Sequence, residues 1–180
     1  MIAIPHIETK RPTLLANLES NLHAMNDYLS KNRMSFITGP FDDVGTWRTQ
    51  FASLGHCLLC DFGIWHSEQR ESGKMVGALS FLHHFDWPET ELGWNVHHNF
   101  EGKGVAYEAA LAARRYVETH LKINGMISFI EPTNTHYAAL AKRLGAAFEK
   151  SHCGREHECQ VYRHPVGNPS KRATQSETNQ

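Results

Sequence analysis

Residues 91–116 read ELGWNVHHNFEGKGVAYEAALAARRY, and this stretch decides the fold. Glu91 to Val96 reads as a strand, the next residues as a tight polar loop, and Gly102-Lys103-Gly104 as the opening of a helix. Two glycines one residue apart leave backbone N–H groups uncovered, so an anion can approach the main chain closely. The helix adds unpaired N-terminal N–H groups and a positive dipole end. Strand, glycine loop and helix start together make a phosphate seat, although a GxG before a helix is often only a tight turn.

Downstream, Ala106, Ala109, Ala110, Ala113 and Val117 line one face of a helix that small side chains let pack close to a sheet. Asn124-Gly125 ends it, and residues 126–130 (MISFI) form a buried strand. A strand–helix–strand crossover places that strand parallel to 91–96. Glu131-Pro132-Thr133-Asn134 starts another helix, with Tyr137, Leu140, Ala141 and Leu144 on its face and Gly145 as its stop. Ala146 to Lys150 and Cys159 to Arg163 close as an antiparallel pair. Residues 165–180 carry no core-forming residue after Val166 and read as a disordered tail, leaving 1–164 as one domain.

Upstream, Phe62, Ile64 and Trp65 begin a strand, Glu71-Ser72-Gly73-Lys74 turns the chain, and Met75 to Leu82 forms the next strand. Short connections make these strands an antiparallel meander with 91–96. A helix from Asp43 to Leu59 carries Trp47, Phe51, Leu54 and Leu58 on one stripe. Residues 2–11 read as a short opening strand. Leu15, Leu18, Leu22, Met25 and Leu29 then recur at helical spacing, with Thr13 as cap and Gly39-Pro40 as the break.

The chain has 180 residues, 41% hydrophobic and 21% charged, with a formal net charge of −1. That length suits one full-sized core, and no global field favours nucleic acid or an anionic membrane. No apolar run approaches the roughly 18 residues of a membrane span, and the start lacks a secretory signal, so a cytoplasmic protein is expected. Cys57 and Cys60 form a CxxC, with Cys153 and Cys159 near His152 and His157. The Cys57–Cys60 pair lies in apolar sequence without the glycine-bearing knuckles of a zinc ribbon, so buried free thiols are expected and no metal is required.

As a set, these motifs resemble the GNAT N-acetyltransferases. Residues 101–106 (EGKGVA) are similar to their Q/R-x-x-G-x-G/A acetyl-CoA signature, with ELGW before it and Tyr107-Glu108-Ala109, Pro132-x-Asn134 and Arg143-Leu144-Gly145 after it. The branch that acetylates ribosomal-protein N-termini and small amines is the most similar. The resemblance spans about residues 7–163 and implies an α+β single domain: a central mixed sheet with an antiparallel meander, helices on both faces, and a splay between the two central strands. Glu101 departs from the family's Gln or Arg, and Tyr137 stands where this branch commonly has Ser. The tyrosine of other branches falls four residues later, at Ala141.

The resemblance implies acetyl transfer from acetyl-CoA to a primary amine, on a small molecule or a protein N-terminus, by direct attack in a ternary complex. Pyrophosphate would rest on Glu101, Gly102, Lys103, Gly104, Val105 and Ala106. Pantetheine would pair with Asn95 and Val96, with Asn134 and Tyr137 also touching cofactor. A backbone N–H of strand 91–96 would face the thioester carbonyl. An alkyl amine has a pKa near 10, so a base must take its proton, and Glu91 is the candidate, with a solvated strand glutamate as the plain alternative. Tyr137 would protonate the leaving thiolate or simply pack under the pantetheine. His97 and His98 read as loop solvation or cofactor packing. The acceptor pocket would draw on residues 36–47, the Trp87 loop and the 151–158 turn, with His56 and Arg48 in reach. A catalytically idle acyl-CoA-binding domain is the alternative function. A homodimer stays open.

Overall fold

The meander forms where the sequence places it. β3 (Ile64–Gln69), β4 (Met75–Leu82) and β5 (Glu91–Val96) pair antiparallel in succession. The computed structural model describes residues 5–16, 23–25, 41–85, 87–153 and 158–167. After β5, helix α2 (Val105–His120) returns the chain to β6 (Ile127–Ile130), parallel to β5. Helix α3 (Thr135–Arg143) leads on to β7 (Ala147–Cys153) and β8 (Glu158–Arg163), an antiparallel pair in which β8 borders β6. At the other edge lie β1 (Ile7–Glu8) and β2 (Pro12–Ala16). The eight strands run β1-β2-β3-β4-β5-β6-β8-β7.

One face of the sheet is the core. Leu14, Trp65, Leu79, Phe81, Leu92 and Trp94 meet Ala109, Ala110, Ala113 and Val117 of α2, all buried. The alanine face lets the helix sit close to the sheet, and each large apolar side chain removed from water contributes about 1.5–3 kcal/mol. Strand alternation turns Glu91, Gly93 and Asn95 to the opposite face. Helix α3 ends at Gly145, φ 85°, where Gly145 and Ala146 N–H bond back to the carbonyls of Lys142 and Ala141. That is the predicted glycine stop, with the last turn's carbonyls satisfied.

One expectation fails at the amino-terminal edge. Pro12–Ala16 is a strand, not the start of a helix: it pairs with β3 from Pro12↔Gln69 to Ala16↔Trp65. Leu14 is wholly buried while its neighbours Thr13 and Leu15 are half-buried, so the pairing enforces a period of two and overrides the leucine spacing. Of the remainder of that helical reading, residues 23–25 are helical, with Met25 buried, while 17–22 and 26–40 lie outside the described residues, as do Ile2, Ile4 and the tail beyond 167. The opening strand is only Ile7–Glu8.

Helix α1 (Asp43–Cys60) forms where expected, with an Asp42 cap accepting Gly45 N–H at 2.7 Å. Its apolar stripe faces outward: Trp47 is 44% exposed, Phe51 62% and Leu58 63%. Thr46, Gln50, Ser53 and Cys57 are the buried face. His56 sets this rotation. Its Nδ1 bonds Phe62 O at 2.8 Å, and its Nε2 accepts the His83 N–H at 3.1 Å. Cys57 packs where Gly63 has no side chain.

Candidate active site

β5 and β6 run in the same direction but share one ladder pair, Glu91↔Ile127. They diverge toward their carboxyl ends, the position where open sheets bind ligands. Side chains brace the narrow end of the gap. Ser128 Oγ donates to Leu92 O at 2.5 Å, and Glu91 Oε1 accepts Phe129 N–H at 3.3 Å. Ser128 has one proton and gives it to Leu92, so His164, 2.9 Å away, must donate from Nε2. Burial, aided by the Arg114 cation, pushes the His164 pKa down to about 3 and keeps the ring neutral.

The hydrogen-bonding edge of β5 that faces the gap is Leu92, Trp94 and Val96. Leu92 O meets Ser128, whereas Asn95 O lies against Gly77 of β4, and the Asn95 side chain accepts Ala78 N–H at 2.8 Å. Asn95 therefore turns its backbone away from the gap, contrary to the sequence expectation, and Trp94 and Val96 are the residues of that stretch on the gap edge.

Tyr137 fills the middle of the gap. Asn134 caps α3 by accepting Tyr137 N–H at 3.2 Å, which fixes Tyr137 one turn in. Its ring stacks on Trp94 and its hydroxyl accepts Trp94 N–H at 2.9 Å. A Cβ on Gly93 would sit 3.5 Å from that hydroxyl and 2.5 Å from Ser80 Oγ, so glycine keeps this space open. Sequence reading placed Tyr137 on this face but had no signal for its partner amide.

Glu91 stands at the closed end, about 10 Å along the strand from Trp94. It is half-buried, and burial lifts its pKa to about 7 against the opposing Phe129 N–H. Beside it runs a row of rings: His84 on Trp87 at 4.4 Å, Trp87 on Phe129 at 5.4 Å, Phe129 on His152 at 5.3 Å. His56, expected to reach the acceptor, is instead a strut with both nitrogens engaged.

At the open end, Gly102 and Gly104 both hold left-handed φ, 69° and 73°, which L side chains rarely adopt. The helix begins with Glu108 N–H bonding Gly104 O, so the N–H groups of Val105, Ala106 and Tyr107 have no carbonyl within the helix. Lys103 Nζ lies 5.5 Å over the Phe100 ring, and Glu101 Oε2 is 3.8 Å from His98 on the surface. Arg11, from the turn before β2, reaches this loop with Nη1 on Lys103 O and Nη2 on Gly104 O at 3.1 Å. Its Nε meets Glu108 Oε2 at 2.6 Å, and its own N–H meets Glu108 Oε1 at 2.8 Å. Burial raises the Glu108 pKa, but the Arg11 bonds outweigh it and hold the carboxyl below its ordinary value. Sequence reading missed Arg11.

Among the described residues, no group of three His, Cys, Asp or Glu is arranged to hold a metal, and no helix is long and apolar enough to cross a membrane. Cys57, Cys60 and Cys159 are free thiols.

Residues 13–147 match the family model of the acetyltransferase (GNAT) domain. An acetyltransferase structure from Agrobacterium tumefaciens is similar with TM-score 0.83 and 30% identity, over 90% of this chain and 95% of that one. A RimL ribosomal L7/L12 α-N-protein acetyltransferase in complex with coenzyme A has TM-score 0.78 over 90% of this chain and 98% of its own, at 17% identity, a likeness of fold. An uncharacterized N-acetyltransferase of Bacillus subtilis, YnaD, is 28% identical over 76 residues, 42% of this chain. The match spans 45% of that protein's length.

Proposed function

The chain belongs to the GNAT acetyltransferase family, and on that premise we propose that it moves an acetyl group from acetyl-CoA to a primary amine by direct attack. The observation that carries this is the order of groups along one gap. The glycine loop lies at its wide end, the Trp94–Tyr137 pair in its middle, and Glu91, with a pKa near 7, at its closed end. A phosphate seat, an acid and a base then line the path of one extended thioester.

The steps balance. The neutral amine attacks the thioester carbonyl carbon, forming C–N, and Glu91 takes an amine proton through intervening water. The Val96 N–H, on the gap edge of β5 beyond the Trp94 amide that Tyr137 occupies, stabilises the oxyanion; one such fixed donor is worth roughly 3–4 kcal/mol. The C–S bond breaks and the thiolate takes the Tyr137 proton, which solvent later restores. The Trp94 N–H stabilises the phenolate that this leaves, making Tyr137 a better acid. No step needs a metal. The row of rings beside Glu91 supports entry of the amine on that side, as a small molecule or a protein N-terminus, and a cytoplasmic setting accords with the donor.

The test is acetyl-CoA binding by thermal shift, then CoA release against an amine panel. A stabilisation of about 2.7 kcal/mol is expected at a hundredfold excess over Kd. No shift at millimolar acetyl-CoA overturns the reading, and binding without turnover points to an idle acyl-CoA-binding domain.

A further inference from the structure

Arg11 makes four polar contacts with one short stretch of α2 and its loop, yet it comes from the far edge of the sheet. Its own carbonyl accepts Arg70 N–H at 3.0 Å, and Thr9 Oγ1 and N–H both meet Pro12 O, so the turn that carries it is fixed. Its side chain is 47% exposed, and a surface ion pair of that kind adds little to stability. What the contacts control is direction. A trans peptide points its N–H opposite to its C=O. With the Lys103 and Gly104 carbonyls drawn to the guanidinium, the N–H groups of Gly104 and Val105 must point away from Arg11. Those are two of the N–H groups at the center of the glycine loop.

We propose that Arg11 is a positioning residue for the pyrophosphate of the donor, acting through the Lys103–Gly104 and Gly104–Val105 peptide planes, with Glu108 aiming its guanidinium. The inference rests on the reading of residues 102–106 as the phosphate seat. Glycine loops are free to rotate their peptides. In this chain the two carbonyls and the Glu108 carboxylate together engage all three nitrogens of the guanidinium, a geometry that lysine cannot reproduce. Arg11 also makes good the absence of Gln or Arg at position 101: it orders the loop from behind rather than touching the anion.

The experiment compares CoA with pantetheine, which lacks pyrophosphate and nucleotide, on the full chain. In the parent protein CoA should bind at least tenfold tighter than pantetheine; equal affinities would overturn the phosphate seat and the proposal with it. Arg11→Lys and Arg11→Gln should each weaken CoA tenfold or more and leave pantetheine within about twofold, while the KM for acetyl-CoA rises by more than kcat falls. Glu108→Gln, which releases the aim but keeps the guanidinium, should show a smaller loss in the same pattern. If the parent prefers CoA and the folded Arg11→Lys and Arg11→Gln variants keep that preference, Arg11 is only a surface tie. Parallel losses for both ligands would equally reduce it to a structural role.

Discussion

The Tyr137 ring lies 11° from parallel with the Trp94 indole at 4.2 Å between centroids, while its hydroxyl takes the amide proton of that same residue. Ring and hydroxyl therefore separate experimentally. Tyr137→Phe keeps the stack and removes the acid, so turnover should fall tenfold or more while acetyl-CoA affinity changes by less than about 1 kcal/mol. Tyr137→Ala should weaken cofactor binding as well. A Phe variant with the parent's single-turnover rate would remove Tyr137 from the chemistry.

Glu91 gives a pH signature. Its pKa near 7 means the base form grows as pH rises through neutrality, so kcat/KM should climb between about pH 6 and 8. Glu91→Gln should lose roughly 10²–10⁴ in rate at pH 7 and lose that inflection, with a smaller deficit at high pH where the amine deprotonates unaided. Stability runs the other way. A carboxyl raised on folding holds its proton up to about pH 7, so the native state loses stability as pH rises from about 4.5 through 7. Glu91→Gln should flatten that part of a Tm-against-pH curve.

His66 and His164 pull in the opposite sense. Burial lowers them to about 4 and about 3, so the unfolded chain binds the extra protons and stability falls as pH drops below about 6.5. Two such groups against one Glu91 should leave a net loss of Tm between pH 6.5 and 4.5. His164→Gln should reduce that slope; an unchanged slope would mean His164 does not stay neutral on acidification.

Ser128→Ala leaves the Leu92 carbonyl without its donor and the His164 N–H without its acceptor, both in the core. Each orphaned group costs about 1–3 kcal/mol, so denaturant unfolding should show a loss of at least 2 kcal/mol. A loss below about 0.5 kcal/mol would show that this bridge does not hold the narrow end.

Gly104→Glu puts negative charge and a strained φ where the seat is placed, with its Cβ 3.1 Å from Arg11 Nη2. CoA-induced thermal stabilisation should disappear in a folded variant. A retained shift would move the seat elsewhere.

The meander, the crossover and the glycine loop were legible because each rests on a local signal: turn residues, a small-residue face, a GxG at a helix start. The orientation of α1 was not. Its stripe of Trp47, Phe51, Leu54 and Leu58 says only that one face is apolar, whereas His56 and Cys57 choose which face turns inward through partners beyond the helix: Phe62, Gly63 and His83. Pro12–Ala16 failed for the same reason, since pairing with Trp65 to Gln69 is nonlocal. In the candidate site, the sequence names Glu91 and Tyr137 only as residue types. Their environments, a desolvating strand junction and a partner amide, exist only once β5 and β6 stand side by side. Arg11 and Ser128 carry no motif at all.

The single rung between β5 and β6 also bears on how this sheet comes together. β1 to β5 form one leaf and β6 to β8 a second; within them β3-β4-β5 and β7-β8 pair close in sequence, so those units can zip first. Joining the leaves requires closing the crossover through α2, a connection longer than the turns of the meander, whose entropy must be met before the junction exists. Native-state hydrogen exchange should then sort the amides into two protected blocks, one per leaf. The amides of Trp94 and Phe129, held across the seam by a phenol and a carboxylate alone, would belong to neither block.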